Sequence, residues 1–233
     1  MGKKAEELDV NIQTHDKISS LSELHTDFII DGSGCPSVLK RELGFNKGLK
    51  GVTFQHTLEN CNVFNSQKVE IHYIKKFGYF WIFPRNPEKK EVNVGIGFIL
   101  DFGYDIKKLL EEFKQKRGIT GNLNYVSGGL IPIGMQPPYK YKNILFVGDA
   151  GVGTFPFSGQ GIYRALLSGD AAGKLIAYGQ EKKYPHIINR MFIKWDVIGK
   201  TFIRINLVLR RINEQFVIYN LNKFISIDEV LHI

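Results

Sequence analysis

The spacing of apolar and polar residues predicts several β-strands in the first half of the chain. From about residue 50 to residue 99 the pattern repeats every two residues and is rich in Val, Ile, Tyr, Phe and Thr. That periodicity is typical of antiparallel strands with one buried face. We expect strands near 50–58, 68–75, 78–84 and 92–99, with a polar turn over 85–91 between the last two.

Helical spacing and buried-strand patterns alternate in the rest of the chain. Residues 105–116 place four apolar side chains on one stripe and predict an amphipathic helix, followed by a strand over 123–133. Near the amino terminus, 27–31 reads as a short buried strand and 35–43 as a short helix between Pro36 and Gly44. We further expect a strand at 143–147, a helix at 159–178 and helical structure from 179 to the end.

The segment over 143–178 predicts a strand, a Gly-rich loop and a helix in succession. Free amide groups and the positive end of the helix dipole suit a phosphate or a delocalised anion such as the edge of a reduced flavin. Asp149 follows the strand, where it is better suited to ligand hydroxyls than to phosphate. The loop lacks a GxGxxG pattern, since Pro156 follows Gly153 at the third position. An anion site and a plain strand–helix crossover therefore both fit this segment.

Aromatic residues concentrate in the segment Gly78-Tyr-Phe-Trp-Ile-Phe-Pro84. With a period of two, Tyr79, Trp81 and Phe83 share one face of the strand. Three rings on one face form either a wall for a flat or long apolar ligand or an ordinary sheet core. Gly95 and Gly97 leave a bare patch on the next strand, which indicates a bulge or a close approach by ligand or backbone.

Composition and charge narrow the class of protein. The 233 residues carry 31 Lys and Arg against 23 Asp and Glu, a formal net charge of +8. This excess suits an anionic partner, namely nucleic acid, an acidic membrane surface or a phosphorylated substrate, or it reflects a solvated lysine-rich surface. No run of 18 apolar residues is present, so we expect a soluble or peripheral protein rather than a membrane-spanning one.

The cysteine and histidine patterns support neither metal binding nor hydrolysis. Cys35 and Cys61 are the only cysteines, which indicates a reducing, cytoplasmic compartment without a disulfide framework. No paired His or Cys at ligand spacing, GxSxG or HExxH occurs. Cys35 follows Gly34 at a predicted helix start, where a thiolate would be stabilised. We nevertheless interpret Cys35 as a small buried cysteine rather than a reactive one.

Three segments together resemble the geranylgeranyl reductase family of FAD-dependent oxidoreductases. DFIIDGSGCPSVLKRELG is similar to the family's D-x-x-x-D-A-[TS]-G-C-P-S segment, and GYFWIFP followed by GIG is similar to its Y-x-W-x-F-P…G-x-G element. NILFVGDAGVGTFPFSGQGIYRALLSGDAAGKLIA resembles the flavin-contacting G-D-A-A-G…P…G-x-G-I…A…S-G segment. The resemblance covers most of residues 5–180.

The resemblance implies a fold, a cofactor and a site. It implies an α/β chain with the carboxyl-terminal portion of a p-hydroxybenzoate-hydroxylase-like FAD-binding fold, an antiparallel substrate sheet and a helical carboxyl terminus. The domains would be a partial FAD-binding domain over 1–45 and 140–180, an isoprenoid-binding sheet domain over 46–139, and helices over 181–233. FAD would contact Gly148, Asp149, Gly159, Gln160, Gly161 and Ile162, and the isoprenoid would contact Tyr79, Trp81, Phe83, Pro84, Gly95 and Gly97.

The implied activity is the saturation of carbon–carbon double bonds in geranylgeranyl chains of lipids or pigment precursors. The partners would be an isoprenoid lipid and an anionic membrane surface on the cytoplasmic side, not nucleic acid. Tyr79, Cys35 and water are the candidate proton donors.

The family's amino-terminal GxGxxG unit has no counterpart in the sequence, which indicates a truncated chain or one half of a split flavoprotein. We therefore expect weak or no FAD binding by the chain alone. The alternatives are a non-catalytic remnant or subunit, or a related flavin monooxygenase or halogenase.

Overall fold

A computed structural model describes residues 2–74, 78–99, 103–156 and 158–209. The helical prediction for residues 210–233 lies outside these ranges. The strands are β1 Ile29–Asp31, β2 Lys50–Glu59, β3 Glu70–Ile74, β4 Gly78–Asn86, β5 Glu91–Phe98, β6 Asn122–Pro132, β7 Lys140–Tyr141 and β8 Ile144–Phe146. The α-helices are α1 Gly2–Glu6, α2 Val38–Glu42, α3 Ile106–Lys116, α4 Gly148–Gly151, α5 Ile162–Ala177 and α6 Tyr184–Leu209.

The larger sheet contains five antiparallel strands in the order β3-β4-β5-β2-β6. The period-two prediction for this region is confirmed, with one difference at the β4–β5 hairpin. The polar turn is shorter than predicted because β4 continues to Asn86 and β5 resumes at Glu91. The two strands therefore pair along almost their whole length, from Gly78 opposite Phe98 to Asn86 opposite Glu91.

One face of the larger sheet is covered by helix α3. Phe113 of this helix stacks on Phe80 of β4, with ring centroids 4.1 Å apart and planes 4° apart. Leu110 is fully buried against Ile96 and its neighbours, which confirms the predicted apolar stripe of the helix. Burial of these side chains in close packing is the main favourable contribution to the stability of this half of the chain.

The smaller sheet has the order β1-β8-β7, with β1 and β8 parallel. Strand β1 ends at Asp31, whose carboxylate accepts hydrogen bonds from the Ser33 amide at 2.9 Å and the Ser37 hydroxyl at 2.5 Å. The Ser37 hydroxyl also accepts the amide of Lys40 at 3.0 Å and so caps α2. The helix predicted over 35–43 begins three residues later because Ser37, rather than Pro36, provides its amino-terminal cap.

Helices α5 and α6 cover the smaller sheet. Tyr184 at the start of α6 is fully buried and donates a hydrogen bond to the carbonyl of Phe146 on β8, at 2.9 Å. Ala172 and Leu175 of α5 and Ile188 of α6 lie in the same apolar cluster. Throughout the described ranges, no helix combines the length and apolar character needed to cross a bilayer.

Candidate functional site

The face of the larger sheet opposite α3 carries the predicted aromatic residues. Tyr79 and Trp81 lie 5.8 Å apart between ring centroids, and Trp81 and Phe83 lie 6.0 Å apart. The register places Trp81 opposite Gly95 and Tyr79 opposite Gly97 on β5. A Cβ at Gly95 would overlap the indole ring, and one at Gly97 would lie 3.4 Å from it. The two glycines therefore accommodate the Trp81 side chain, which fills the bare patch.

Small polar residues occupy the same face beyond the rings. The Trp81 indole donates a hydrogen bond to the Asn93 side-chain oxygen at 2.6 Å, and Asn93 lies 3.3 Å from the hydroxyl of Thr57. On the neighbouring strands the Gln55 amide donates to the Ser127 hydroxyl at 2.7 Å. The face thus changes from aromatic on β4 to the polar side chains of Gln55, Thr57 and Ser127 on β2 and β6, beside which Tyr125 of β6 is exposed. Such a surface suits a long apolar ligand that carries a polar end.

The Gly-rich loop follows β8, the central strand of the smaller sheet, and the short helix α4, and it leads into α5. Gly159 has a φ of +71°, and Gly161 is the amino-terminal cap of α5, to which it supplies no side chain. A Cβ at Gly161 would lie 3.2 Å from Thr154 and 3.3 Å from the Asp149 carboxylate. The first turn of α5 therefore begins without a side-chain cap, beside a carboxylate. The helix predicted from residue 159 starts instead at Ile162, after this turn, and the unpredicted short helix α4 precedes the loop.

Tyr79 joins the aromatic face to the Gly-rich loop. Its hydroxyl donates a hydrogen bond to the carbonyl of Ser158 at 2.8 Å, and a Cβ on Gly159 would lie 3.0 Å from that hydroxyl. Burial raises the pKa of the Tyr79 phenol, so this group keeps its proton. The two segments that the sequence singled out separately are therefore in contact.

Asp149 lies in α4, next to this contact. Burial raises the pKa of its carboxyl group, and the nearby Arg164 guanidinium opposes that rise. Cys35 of the loop after β1 is close enough to Asp149 for their charges to interact, and burial raises the pKa of the Cys35 thiol. Cys35 is half-buried, and its raised pKa favours a protonated thiol over the reactive thiolate.

The other predicted flavin residues make different contacts. The Gly148 amide already donates to the hydroxyl of Ser168 at 3.0 Å, and the carbonyl of Gln160 accepts the amide of Phe155 at 2.8 Å. Ile162, at 81% exposed, points into solvent in this structure. On the sheet, Pro84 lies at the end of β4 away from the loop.

Two buried charged residues near the site were missed by the sequence analysis. Lys40 of α2 is 3% exposed, donates to the carbonyl of Gln136 and lies 4.7 Å from the ring centroid of Phe146. Burial lowers the pKa of Lys40 to about 8. Arg164 of α5 is 4% exposed. Neither residue belongs to a recognisable motif, and a basic residue on a predicted helix is most simply assigned to the surface.

Metal chemistry receives no support from the part of the chain that is described. There, no group of three or more His, Cys, Asp or Glu side chains is placed to hold a metal ion.

Comparison with known proteins identifies similar sequences of about twice the length. No protein-family model matches the chain. It is 30% identical over 162 residues to a digeranylgeranylglycerophospholipid reductase of Methanocella arvoryzae, covering 64% of this chain and 40% of the relative. It is 26% identical over 223 residues to digeranylgeranylglycerophospholipid reductase 1 of Methanosphaera stadtmanae, covering 91% of this chain and 55% of the relative.

Solved structures share the fold. A geranylgeranyl bacteriochlorophyll reductase-like protein from Thermoplasma acidophilum superposes with a TM-score of 0.62 at 20% identity, covering 75% of this chain and 49% of that protein. The flavin-dependent brominase Bmp2 superposes with a TM-score of 0.59 at 16% identity, covering 89% of this chain and 57% of the brominase. The predicted α/β fold of p-hydroxybenzoate-hydroxylase type is thereby confirmed. The domain boundaries and the individual site residues stay predictions.

Proposed function

Because the chain belongs to the geranylgeranyl reductase family of FAD-dependent oxidoreductases, we propose that it provides the substrate face and the flavin-facing loop of a lipid reductase. The reaction would saturate carbon–carbon double bonds in geranylgeranyl chains. The observation that carries this proposal is the contact of Tyr79 with Ser158 and Gly159, because it places the aromatic wall beside the Gly-rich loop.

The sheet face suits the proposed isoprenoid. Trp81 is 7% exposed and packs on Gly95, so its ring is held in place before any ligand arrives. A rigid aromatic wall aligns a flexible prenyl chain at low entropic cost and excludes water from the reacting double bond. Beside the rings, the hydrogen-bonded Gln55 and Ser127 would offer polar groups to the polar end of the lipid.

The loop residues fit the pyrimidine edge of a flavin. A Cβ at Gly159 would lie 3.0 Å from the Tyr79 hydroxyl, and a Cβ at Gly161 would lie 3.2 Å from Thr154. Glycine at both positions therefore leaves the loop backbone open to a bound flavin. The uncapped first turn of α5 stabilises negative charge placed against it. The Asp149 carboxylate is positioned to accept hydrogen bonds from ligand hydroxyls such as those of the ribityl chain. FAD, when bound, would supply the hydride for the double bond.

The pyrophosphate of FAD would need a dinucleotide-binding unit with a GxGxxG pattern in addition to the residues described here. The GxGxxG pattern is absent from the sequence, and the chain spans about half the length of the curated relatives that it matches. Among the described strands, β1 is one edge of the smaller sheet; Ile30 on this strand and Phe28 just before it are 46% and 39% exposed. A βαβ unit that added a parallel strand beside β1 could place its helix over these side chains.

The basic charge suits attachment to an anionic membrane surface. The net charge of +8 would attract the chain to anionic lipid, where the proposed substrate resides. We therefore include membrane association and a cytoplasmic location in the proposed function.

Anaerobic hydrogenation of a digeranylgeranylglyceryl phospholipid tests the proposed function. The chain is purified alone and, in a second preparation, after co-expression with a GxGxxG-containing dinucleotide-binding unit. Each preparation is incubated with dithionite-reduced FAD and the lipid, and the masses of the products are measured by mass spectrometry. We expect a mass gain of two hydrogens per double bond. Trp81→Ala should reduce this gain, and Tyr178→Ala, which removes an exposed aromatic residue at the carboxyl end of α5, is the matched control.

Each result bears on a different part of the proposal. Flavin retained by the complex without any lipid reduction contradicts the reductase assignment. Stoichiometric flavin absorbance in the chain alone contradicts the need for an added dinucleotide-binding unit but leaves the reductase assignment intact. In a parallel incubation with oxygen, gain of a hydroxyl group, or of a halogen when halide is added, would favour the monooxygenase or halogenase alternative.

A further inference from the structure

Arg164 is a buried cation with an unusual set of partners. It lies in the first turn of α5 and donates from Nη1 to the carbonyl of Thr154 in the Gly-rich loop at 3.0 Å. Its guanidinium lies 4.9 Å from the ring centroid of Phe192 on α6. Within the described part of the chain, its Nε and Nη2 atoms are buried without a hydrogen-bond partner. Such a group is costly to bury, so a nearby counter-charge must hold it there.

Asp196 of α6 provides that counter-charge and also holds a second loop. Its Oδ1 lies 3.9 Å from Arg164 Nη2 and accepts the amide of Met135 at 2.6 Å. Its Oδ2 lies 2.9 Å from the ammonium of Lys200, which in turn donates to the carbonyl of Met135 at 3.1 Å. Asp196 and Lys200 therefore bind both backbone groups of Met135.

The loop held by α6 is the one on which the Gly-rich loop rests. Thr154 donates its amide to the carbonyl of Pro132 at 2.9 Å and its hydroxyl to the same carbonyl at 2.8 Å. The amide of Gly134 donates to the Thr154 carbonyl at 2.9 Å, and a Cβ at Gly134 would overlap the Asp196 carboxylate. The Thr154 carbonyl thus receives hydrogen bonds from Gly134 on one side and Arg164 on the other.

We propose that Arg164 and Asp196 are positioning residues that tie helix α6 to the Gly-rich loop and fix the place of Thr154 and Gly161 within it. Their role in catalysis rests on the proposed flavin site, because Gly161 and Asp149 belong to that site. The clamp itself is a property of the folded chain without any ligand.

The charge of Arg164 is shared between two carboxylates. Asp196, Tyr139 and Asp149 all act on the guanidinium, and Arg164 in turn favours the ionised form of Asp149. Removing the cation therefore disfavours the Asp149 carboxylate. Removing the charge of Asp196 should have the opposite effect, because Arg164 then acts on Asp149 without that balancing anion. A residue that only fills space would not produce shifts of opposite sign.

The test uses the full chain without flavin and four variants: Arg164→Met, Arg164→Lys, Asp196→Asn and, as matched control, Arg190→Met at an exposed position of α6. Amide hydrogen exchange reports on residues 133–136 and 153–155. Carbon-13 NMR titration of Asp side chains, assigned with Asp149→Asn, reports the pKa of Asp149.

We expect faster exchange in both loops for Arg164→Met and Asp196→Asn, and no change for Arg190→Met. The pKa of Asp149 should shift upward in Arg164→Met and downward in Asp196→Asn. Arg164→Lys should keep the positive charge but lose the planar guanidinium with its several N–H donors. In this variant we expect the pKa of Asp149 to stay close to that of the wild type, while amide exchange at Thr154 becomes faster.

The proposal is overturned if exchange in the two loops matches that of Arg190→Met in every variant, or if Asp149 shifts in the same direction in Arg164→Met and Asp196→Asn. Should Arg164→Met fail to fold, Arg164→Lys and Asp196→Asn decide the matter. None of these readouts requires flavin or lipid, so failure of the reductase assignment would leave the result interpretable.

Discussion

Substitution of Gly95 by alanine should destabilise the chain by displacing Trp81 from the sheet. A Cβ at position 95 would overlap the indole ring and lie 2.9 Å from the Cβ of Gln55, so neither neighbour can yield without moving a strand or a ring. Moving the ring also breaks the 2.6 Å hydrogen bond from Trp81 to Asn93, which is 6% exposed.

The magnitude follows from the two losses. Overpacking a filled core costs about 1–3 kcal/mol, and a buried side-chain amide left without its partner costs about 1–3 kcal/mol. Replacing glycine also lowers the entropy of the unfolded chain, which returns about 0.4–1 kcal/mol. We expect Gly95→Ala to lower the free energy of unfolding by about 2–4 kcal/mol.

Urea denaturation followed by far-UV circular dichroism measures this change. Gly129→Ala on β6 is the matched control, because a Cβ there meets nothing within 4 Å, and it should stay within about 0.5 kcal/mol of wild type. In a Trp81→Leu background, where the ring is absent, Gly95→Ala should cost much less. If Gly95→Ala behaves like Gly129→Ala, or costs the same with and without the indole, then the ring does not pack on the glycine.

Three further perturbations test the neighbouring contacts. Tyr79→Phe removes the hydrogen bond to Ser158, and we expect about 1 kcal/mol lower stability and faster amide exchange around Gly159; unchanged exchange would contradict the link. Ser37→Ala removes the α2 cap and should cost about 1–2 kcal/mol in urea denaturation, whereas no change would show that the cap contributes nothing. Burial lowers the pKa of Lys40 from 10.5 to about 8, so the unfolded chain binds its proton more tightly and stability should rise as pH increases across that window. Lys40→Met should lack this rise in urea titrations below and above the window, and an equal rise in both proteins would refute the assignment.

The amino-acid sequence by itself determined the elements of the larger sheet and the identity of its two faces. The period-two pattern placed Phe80 and Ile82 on the face now covered by α3, and Tyr79, Trp81 and Phe83 on the other. Local rules suffice for this because side chains alternate along a strand and stripe along a helix. The motifs likewise indicated the family from residues that lie close together in the chain.

Only the tertiary structure decided how these parts meet. The register of β4 against β5 places Trp81 opposite Gly95. A shift of this register by one residue would place Trp81 opposite Val94 or Ile96 instead. The hydrogen bond of Tyr79 to Ser158 and the approach of Asp196 to Arg164 join residues that are 79 and 32 positions apart in the numbering. Such pairings depend on long-range packing, where a buried charge or hydroxyl is stable only if the folded chain brings it a partner. No local pattern of residues encodes that partner, so Arg164 and Lys40 could not be distinguished from surface cations until the fold was known.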